Sequence, residues 1–215
     1  FNLASKTAAR MKSLLTTLEE PQEFFWATDE NFVAVESPDA KAAELVRYAI
    51  CNQDGQASAV FQQGEQAYLC CEFLLKESIE VPIVCVMITN KFNTLIHSKG
   101  SHQQGAIVPP AVNQGDSIRF YRSIDLRIAP GQYVVGFALV TIPFNIYEQL
   151  NELPQAELNN YFKLCDVYEK VGTFYVKPHF SINQHSHFGI CDLPGKCQVQ
   201  VIPEAEFNEP AQEQS

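Results

Sequence analysis

The segment Asp116–Ile142, DSIRFYRSIDLRIAPGQYVVGFALVTI, constrains the fold more than any other part of the chain. Ile118, Phe120, Ile124, Leu126 and Ile128 recur at every second position, interrupted only by Arg122. Arg119, Tyr121, Ser123, Asp125 and Arg127 fill the positions between them. A period of two is that of a half-buried β-strand, whose successive side chains point to opposite faces. Ala129-Pro130-Gly131 reads as a turn, because proline fixes φ and glycine relieves the sterics. Gln132–Ile142 then reads as a more apolar returning strand, which makes the whole segment a hairpin. One face of that hairpin is greasy, and the other carries Arg, Tyr and Asp side chains suited to a polar ligand. Gly136 and Ala138 on the return strand would leave the same sheet low-walled.

The rest of the chain supplies the partners for such a sheet. Ser5–Leu18 places Ala8, Met11, Leu15 and Leu18 on one side of an amphipathic helix, which Glu19-Glu20-Pro21 stops. Phe24-Phe25-Trp26 reads as an aromatic knot packed on the core, and 27–43 as linker. From Glu44 onward the pattern is all β. Leu45–Asn52 alternates, with Val46, Tyr48 and Ile50 on one face. Gln66–Lys76 turns Ala67, Leu69, Cys71, Phe73 and Leu75 inward and Gln66, Tyr68, Cys70, Glu72 and Lys76 outward. Val81–Thr89 is apolar enough for a central strand, Thr94–Ser98 is short, and 100–115 is a long polar loop. Asn145–Leu153 and Gln155–Cys165 read as short helices split by Pro154, and Val171–Ile182 and Gln198–Ile202 as closing strands. Many short strands separated by Gly and Pro turns imply an all-β, antiparallel sandwich rather than alternating β-α units. The expected organisation is a helical connector and linker over 1–43, a β-sandwich over 44–203 and a flexible acidic tail over 204–215.

Charge and cysteine usage narrow the partners. The 215 residues include 25 Asp and Glu against 15 Lys and Arg, a net charge of −10. A field of that sign repels phosphate backbones, which argues against nucleic acid, and it disfavours anionic membrane surfaces. No apolar run approaches the roughly 18 residues that span a bilayer, so direct membrane insertion is not expected. Seven cysteines, an odd number without a CxxC pair, lie mostly in apolar contexts and fit a reducing compartment, the cytoplasm. A chain that begins at Phe1 rather than Met is expected to be a fragment of a longer polypeptide.

Most catalytic chemistry finds no foothold. Gly189 to Gly195-Lys196-Cys197 has a passing look of a phosphate-binding loop, but five residues separate the glycines and Cys stands where Ser or Thr should hold magnesium. GxGxxG, GxSxG and HExxH are all missing. His185 and His187 share one side of an extended segment, yet a metal site wants three or four converging ligands. No metal and no cofactor is expected. Glu72 and Asp125, both outward-facing, are a conceivable pair for glycoside hydrolysis, whose mechanism is defined by a separation that sequence does not give.

The outward face suits recognition better than catalysis. A sugar presents a hydroxyl rim and an apolar C–H face, and is held by planar donors and acceptors beside an aromatic plate on a rigid surface. Arg119, Tyr121 and Arg127 on one strand, with Tyr68 and Glu72 on another, supply those groups. Together with His185 they are the candidate ligand-binding residues. Their guanidinium forks would also match an acidic sugar. The same residues equally suit ordinary cross-strand pairs on a sheet surface.

Three stretches in order resemble a known family: VRYAICNQDGQASAVFQQGEQAYLCCEFLLKESIEVPIVCVMITNKFNTLIHS, then DSIRFYRSIDLRIAPGQYVVGFALV, then FGICDLPGKCQVQV. The opening strand and Asp-Gly turn, the Gly64-Glu65 step into a long strand, the Pro-Gly-x-Tyr segment and the closing Phe-Gly…Leu-Pro-Gly stretch are similar to the C-terminal carbohydrate-binding domain of O-antigen ABC transporter ATP-binding subunits, the Wzt family. The resemblance spans roughly 44–202. It implies an immunoglobulin-like β-sandwich, not itself an enzyme, that binds the non-reducing end of an O-polysaccharide and licenses its export. It further implies an upstream ATPase domain, a transporter permease as partner, a homodimer formed by exchange of C-terminal strands, and a cytoplasmic location peripheral to the inner membrane. No binding residue carries over by motif, so the site residues rest on face assignment. An adaptor sandwich that meets protein rather than glycan, and a carbohydrate-active enzyme domain, are the alternatives.

Overall fold

The alternating segments become strands. In the computed structural model, which describes residues 27–36, 41–179 and 189–192, these are β1 (Val33–Ala34), β2 (Ala43–Cys51), β3 (Val60–Gln62), β4 (Gln66–Leu75), β5 (Ile79–Asn90), β6 (Leu95–Gly100), β7 (Ala111–Val112), β8 (Ser117–Asp125), β9 (Gly131–Ile142) and β10 (Lys163–Lys177). One sheet runs β1-β2-β4-β8 and the other β3-β10-β9-β5-β6, with β7 beside β5. All pairs are antiparallel except β3 with β10. The inward residues of both sheets, among them Leu45, Leu69, Phe73, Val86, Phe137, Leu139 and Phe174, form one core. This is the expected immunoglobulin-like sandwich, and Ala67, Leu69, Cys71, Phe73 and Leu75 are all buried as their alternation requires.

The pairing of the 116–142 segment differs from a hairpin. β8 pairs with β4 in the four-stranded sheet, whereas β9 lies between β5 and β10 in the other. Residues 126–130 therefore cross between layers. The Leu126 amide donates to the Glu65 carbonyl at 2.9 Å, and the Tyr133 hydroxyl donates to the Ala129 carbonyl at 2.7 Å, which holds both ends of the crossing. A period of two reports which face a residue takes but not which strand lies beside it. Gly136 and Ala138 accordingly do not flank the Arg- and Tyr-bearing face. At Gly136 a β-carbon would stand 2.6 Å from the Glu169 carbonyl oxygen, so glycine there lets β10 approach β9 closely.

Three further expectations shift. A bulge between Leu45 and Arg47 changes parity on β2, so Leu45 rather than Val46 shares the inward face with Tyr48 and Ile50. The expected helices shrink to single turns, Phe144–Tyr147 and Gln155–Leu158, and Lys163 onward is drawn into β10 by pairing with Thr141 on β9. Residues 27–36 contribute a 3₁₀ turn, Asp29–Asn31, and β1, which pairs with β2; the 100–115 loop contributes another 3₁₀ turn, Ser101–Gln104, and β7. The expected helix at 5–18, the knot at 24–26, the strand at 198–202 and the tail lie outside the described residues. Among the described residues no helix is long and apolar enough to cross a membrane.

Candidate functional site

The outer face of the four-stranded sheet is a grid set by strand register. Arg47, Glu72 and Arg119 form one row across β2, β4 and β8; Ala49, Cys70 and Tyr121 form the next; Cys51, Tyr68 and Ser123 the third; Gln66 and Asp125 face each other in the fourth. Alternation thus brings Arg119, Tyr121, Tyr68 and Glu72 onto one surface, as expected from their parity.

The first row is a charged clamp. Glu72 Oε2 accepts from Arg47 Nε at 2.9 Å and Nη2 at 2.7 Å, and pairs with Arg119 Nε at 3.3 Å. Arg47 Nη1 reaches Asp29 at 2.7 Å, and its guanidinium lies 4.5 Å above the Phe32 ring. Hydrogen bonds first to Glu72 and then to Asp29 push the Arg47 guanidinium up. The Glu72 side chain is 11% exposed and the Arg119 side chain 59%. Glu72 therefore organises the row from beneath, and Arg119 is the more exposed of its two arginine partners.

The middle rows are small beneath and aromatic above. Ala49, Cys51 and Cys70 are buried under Ala27, with Phe32, Tyr68 and Tyr121 packed against them. Burial pushes the Cys70 thiol up to about 12. The Tyr68 and Tyr121 rings stack, with centroids 5.6 Å apart and planes 21° from parallel. Burial is the main reason the Tyr121 phenol is pushed up; Tyr68 adds to it and a hydrogen bond with Ser123 opposes it. The Tyr68 hydroxyl donates to Gln66 Oε1 at 2.7 Å, and Gln66 Nε2 donates to Asp125 Oδ1 at 3.4 Å. Residues 27–32 cover the β2 side, and between β4 and β8 the grid carries the half-buried Tyr68–Tyr121 pair, edged by Arg119, Ser123, Gln66 and Asp125.

Other expected site residues fall elsewhere. Arg127 lies two residues past the end of β8, exposed in the crossing, with its carbonyl accepting from the Asp192 amide at 2.9 Å; it is not part of the grid. His185 lies outside the described residues. Glu72 and Asp125 stand opposite Arg119 and Gln66 respectively, six residues apart along β8. At about 3.4 Å per residue that is roughly 20 Å, more than twice the separation that either glycosidase geometry requires. The paired-carboxylate reading fails on this register. Among the described residues no three His, Cys, Asp or Glu side chains group to hold a metal ion.

Sequence reasoning passed over Arg47 and the role of Gln66. Arg47 and Gln66 both take the outward face that alternation gives them, but only the fold sets them beside Glu72 and Asp125.

Comparison with known proteins agrees with the fold. The family model described as the Wzt C-terminal domain matches residues 36–152. A solved structure described as "Crystal structure of the C-terminal domain of wzt" superposes with a TM-score of 0.56 at 14% identity, covering 84% of this chain and 90% of that one. At that identity the likeness concerns the fold. No curated protein matches the chain.

Proposed function

Because this chain belongs to the Wzt C-terminal domain family, a family of substrate-binding rather than catalytic domains serving O-antigen ABC transporters, we propose that it recognises the non-reducing terminal region of an O-polysaccharide and couples that recognition to export. The observation that carries this reading is the stacked Tyr68–Tyr121 pair on the outer face of the four-stranded sheet, edged by Arg119, Ser123, Gln66 and Asp125. Two stacked rings offer a rigid apolar platform for the C–H face of a sugar, and the polar edge meets its hydroxyls. Both rings are already held by neighbours, so little side-chain entropy remains to be lost on binding.

In this reading Arg119, Tyr121 and Tyr68 touch the glycan, and Glu72 holds Arg119 in place rather than contacting sugar. The domain works in the cytoplasm beside the inner membrane, with an ATPase domain preceding it in the full polypeptide and a permease as partner. A homodimer built by strand exchange is supported by β10. Among the described residues, its side away from β9 pairs with β3 only over Tyr175–Lys177, and Leu164 and Val167 on the unpaired stretch are exposed. An unpaired strand edge is a template for another strand.

Calorimetric titration of the domain with its cognate O-polysaccharide, intact and with the terminal residue removed, tests the proposal. Binding of the intact glycan and its loss on trimming is the expected result. Failure to bind either one overturns it.

A further inference from the structure

Arg122 is the single break in the alternation of β8, and the fold turns it inward, where it is 6% exposed. It lies where β8, the edge of one sheet, meets β6, the edge of the other. Nη2 stands 2.6 Å from His97 Nε2. A guanidinium donates only, so that ring nitrogen accepts and the imidazole is neutral with its proton on Nδ1. With the Gln104 amide turned so that its oxygen faces the guanidinium, that oxygen accepts from Nε at 3.0 Å and Nη2 at 3.3 Å. Nη1 is buried without a partner. None of the salt bridges among the described residues includes Arg122.

A desolvated guanidinium whose contacts are all neutral is electrostatically incomplete, because the energy lost on leaving water is regained only from a well-placed anion. Burial accordingly pushes Arg122 down. Burial, and after it the charges of Arg122 and Lys99, also pushes His97 down. The Nε–Nη2 edge that Gln104 occupies accepts a carboxylate side-on through two parallel hydrogen bonds. A single amide oxygen shared between the two donors supplies half of that arrangement. Gln104 is itself exposed on the Ser101–Gln104 turn, so the swing of one side chain opens the fork to solvent. Ser101 Oγ and His102 Nδ1, on the same turn, are likewise buried and unpartnered.

We propose that Arg122 is a receptor for the carboxylate of an acidic ligand of the uronic-acid class, and that Gln104 is the gate its oxygens displace. The site lies on the inner side of β8, opposite the Tyr121 face; the carboxylate fork stands on its own geometry, and the choice of a sugar acid rests on the proposed glycan-binding function.

Nuclear magnetic resonance of the full chain, read at the His97 imidazole with glucuronate and glucose as probes, tests it. Glucuronate shifts the His97 signals and raises the His97 titration midpoint, because its carboxylate offsets the charge of Arg122; glucose does neither. Gln104→Ala tightens glucuronate several-fold by removing the competitor. Arg122→Met abolishes the response, and Arg122→Lys, which keeps the charge but not the fork, weakens it several-fold and carries the test if the Met variant does not fold. Equal responses to the two sugars, or wild-type behaviour of the Arg122 variants, overturn the proposal. So does a glucuronate response seen only after Glu204, Glu206, Glu209 and Glu213 are all changed to Gln, which would assign the guanidinium to the chain's own acidic tail.

Discussion

Arg47 and Glu72 face each other across β2 and β4, and two nitrogens of the one meet a single carboxylate oxygen of the other, at 2.9 and 2.7 Å. The pair is partly buried, with side-chain exposures of 25% and 11%. Removing the arginine alone strands a carboxylate in a poorly solvated place with only Arg119 to answer it. Arg47→Met is therefore expected to destabilise the fold by about 1–3 kcal/mol in chemical denaturation. The double variant Arg47→Met/Glu72→Met is expected to recover much of that loss, since neither charge is then left unpaired.

Tyr121→Ala and Arg119→Ala are each expected to weaken glycan binding by about 1–3 kcal/mol with the fold intact, read by calorimetry. Arg127→Ala is expected to leave affinity unchanged, because Arg127 sits in the crossing beyond the grid. Loss of binding in the Arg127 variant alone would move the site to the end of the sandwich.

Gly136→Ala is expected to be among the most damaging single-methyl changes in the chain. The added carbon would meet the carbonyl oxygens of Glu169 and Tyr168 at 2.6 and 2.7 Å, both of them backbone atoms that cannot rotate away. Separating β9 from β10 at that point costs about 1–3 kcal/mol or more, visible as a lower thermal midpoint.

Stability should decline at alkaline pH. Burial raises the Cys70 thiol to about 12 and is the main cause raising Cys165 to about 11, against an ordinary value of 9.0. The folded state therefore holds those protons more tightly than the unfolded state. The contribution is complete below pH 9 and is lost as pH climbs through the folded values. The thermal midpoint of the wild type is expected to fall more steeply between pH 9 and 11 than that of Cys70→Ala. In native labelling read by peptide mass spectrometry, Cys191, which is exposed, reacts quickly while Cys51, Cys70, Cys71 and Cys165 react only on unfolding.

Faces were legible in the sequence; neighbours were not. The alternation of Ala67 to Leu75 and of Ile118 to Ile124 sorted the core from the surface because a pleated strand leaves no other choice. Pro130-Gly131 signals a change of direction, but a turn within one sheet and a crossing between two use the same residues, and only the core decides between them. The parity of Val46 failed at a bulge, which carries no residue signature. Gln155–Cys165 reads as helix locally, yet its end forms strand because the edge of β9 offers hydrogen bonds that local preference cannot outweigh. Arg122 was visible as an irregularity, and its meaning depends on His97 and Gln104, 25 and 18 positions away, which only the fold brings near.

The pleat of β8 separates two kinds of selection on one short stretch of chain. Ile118, Phe120 and Ile124 answer to the core, while Arg119, Tyr121, Ser123 and Asp125 between them answer to whatever the face must hold. A lineage can therefore exchange the outward residues as the demands on that face change while the inward ones stay fixed. The surface of such a strand can drift at every second codon without the architecture having to be reinvented.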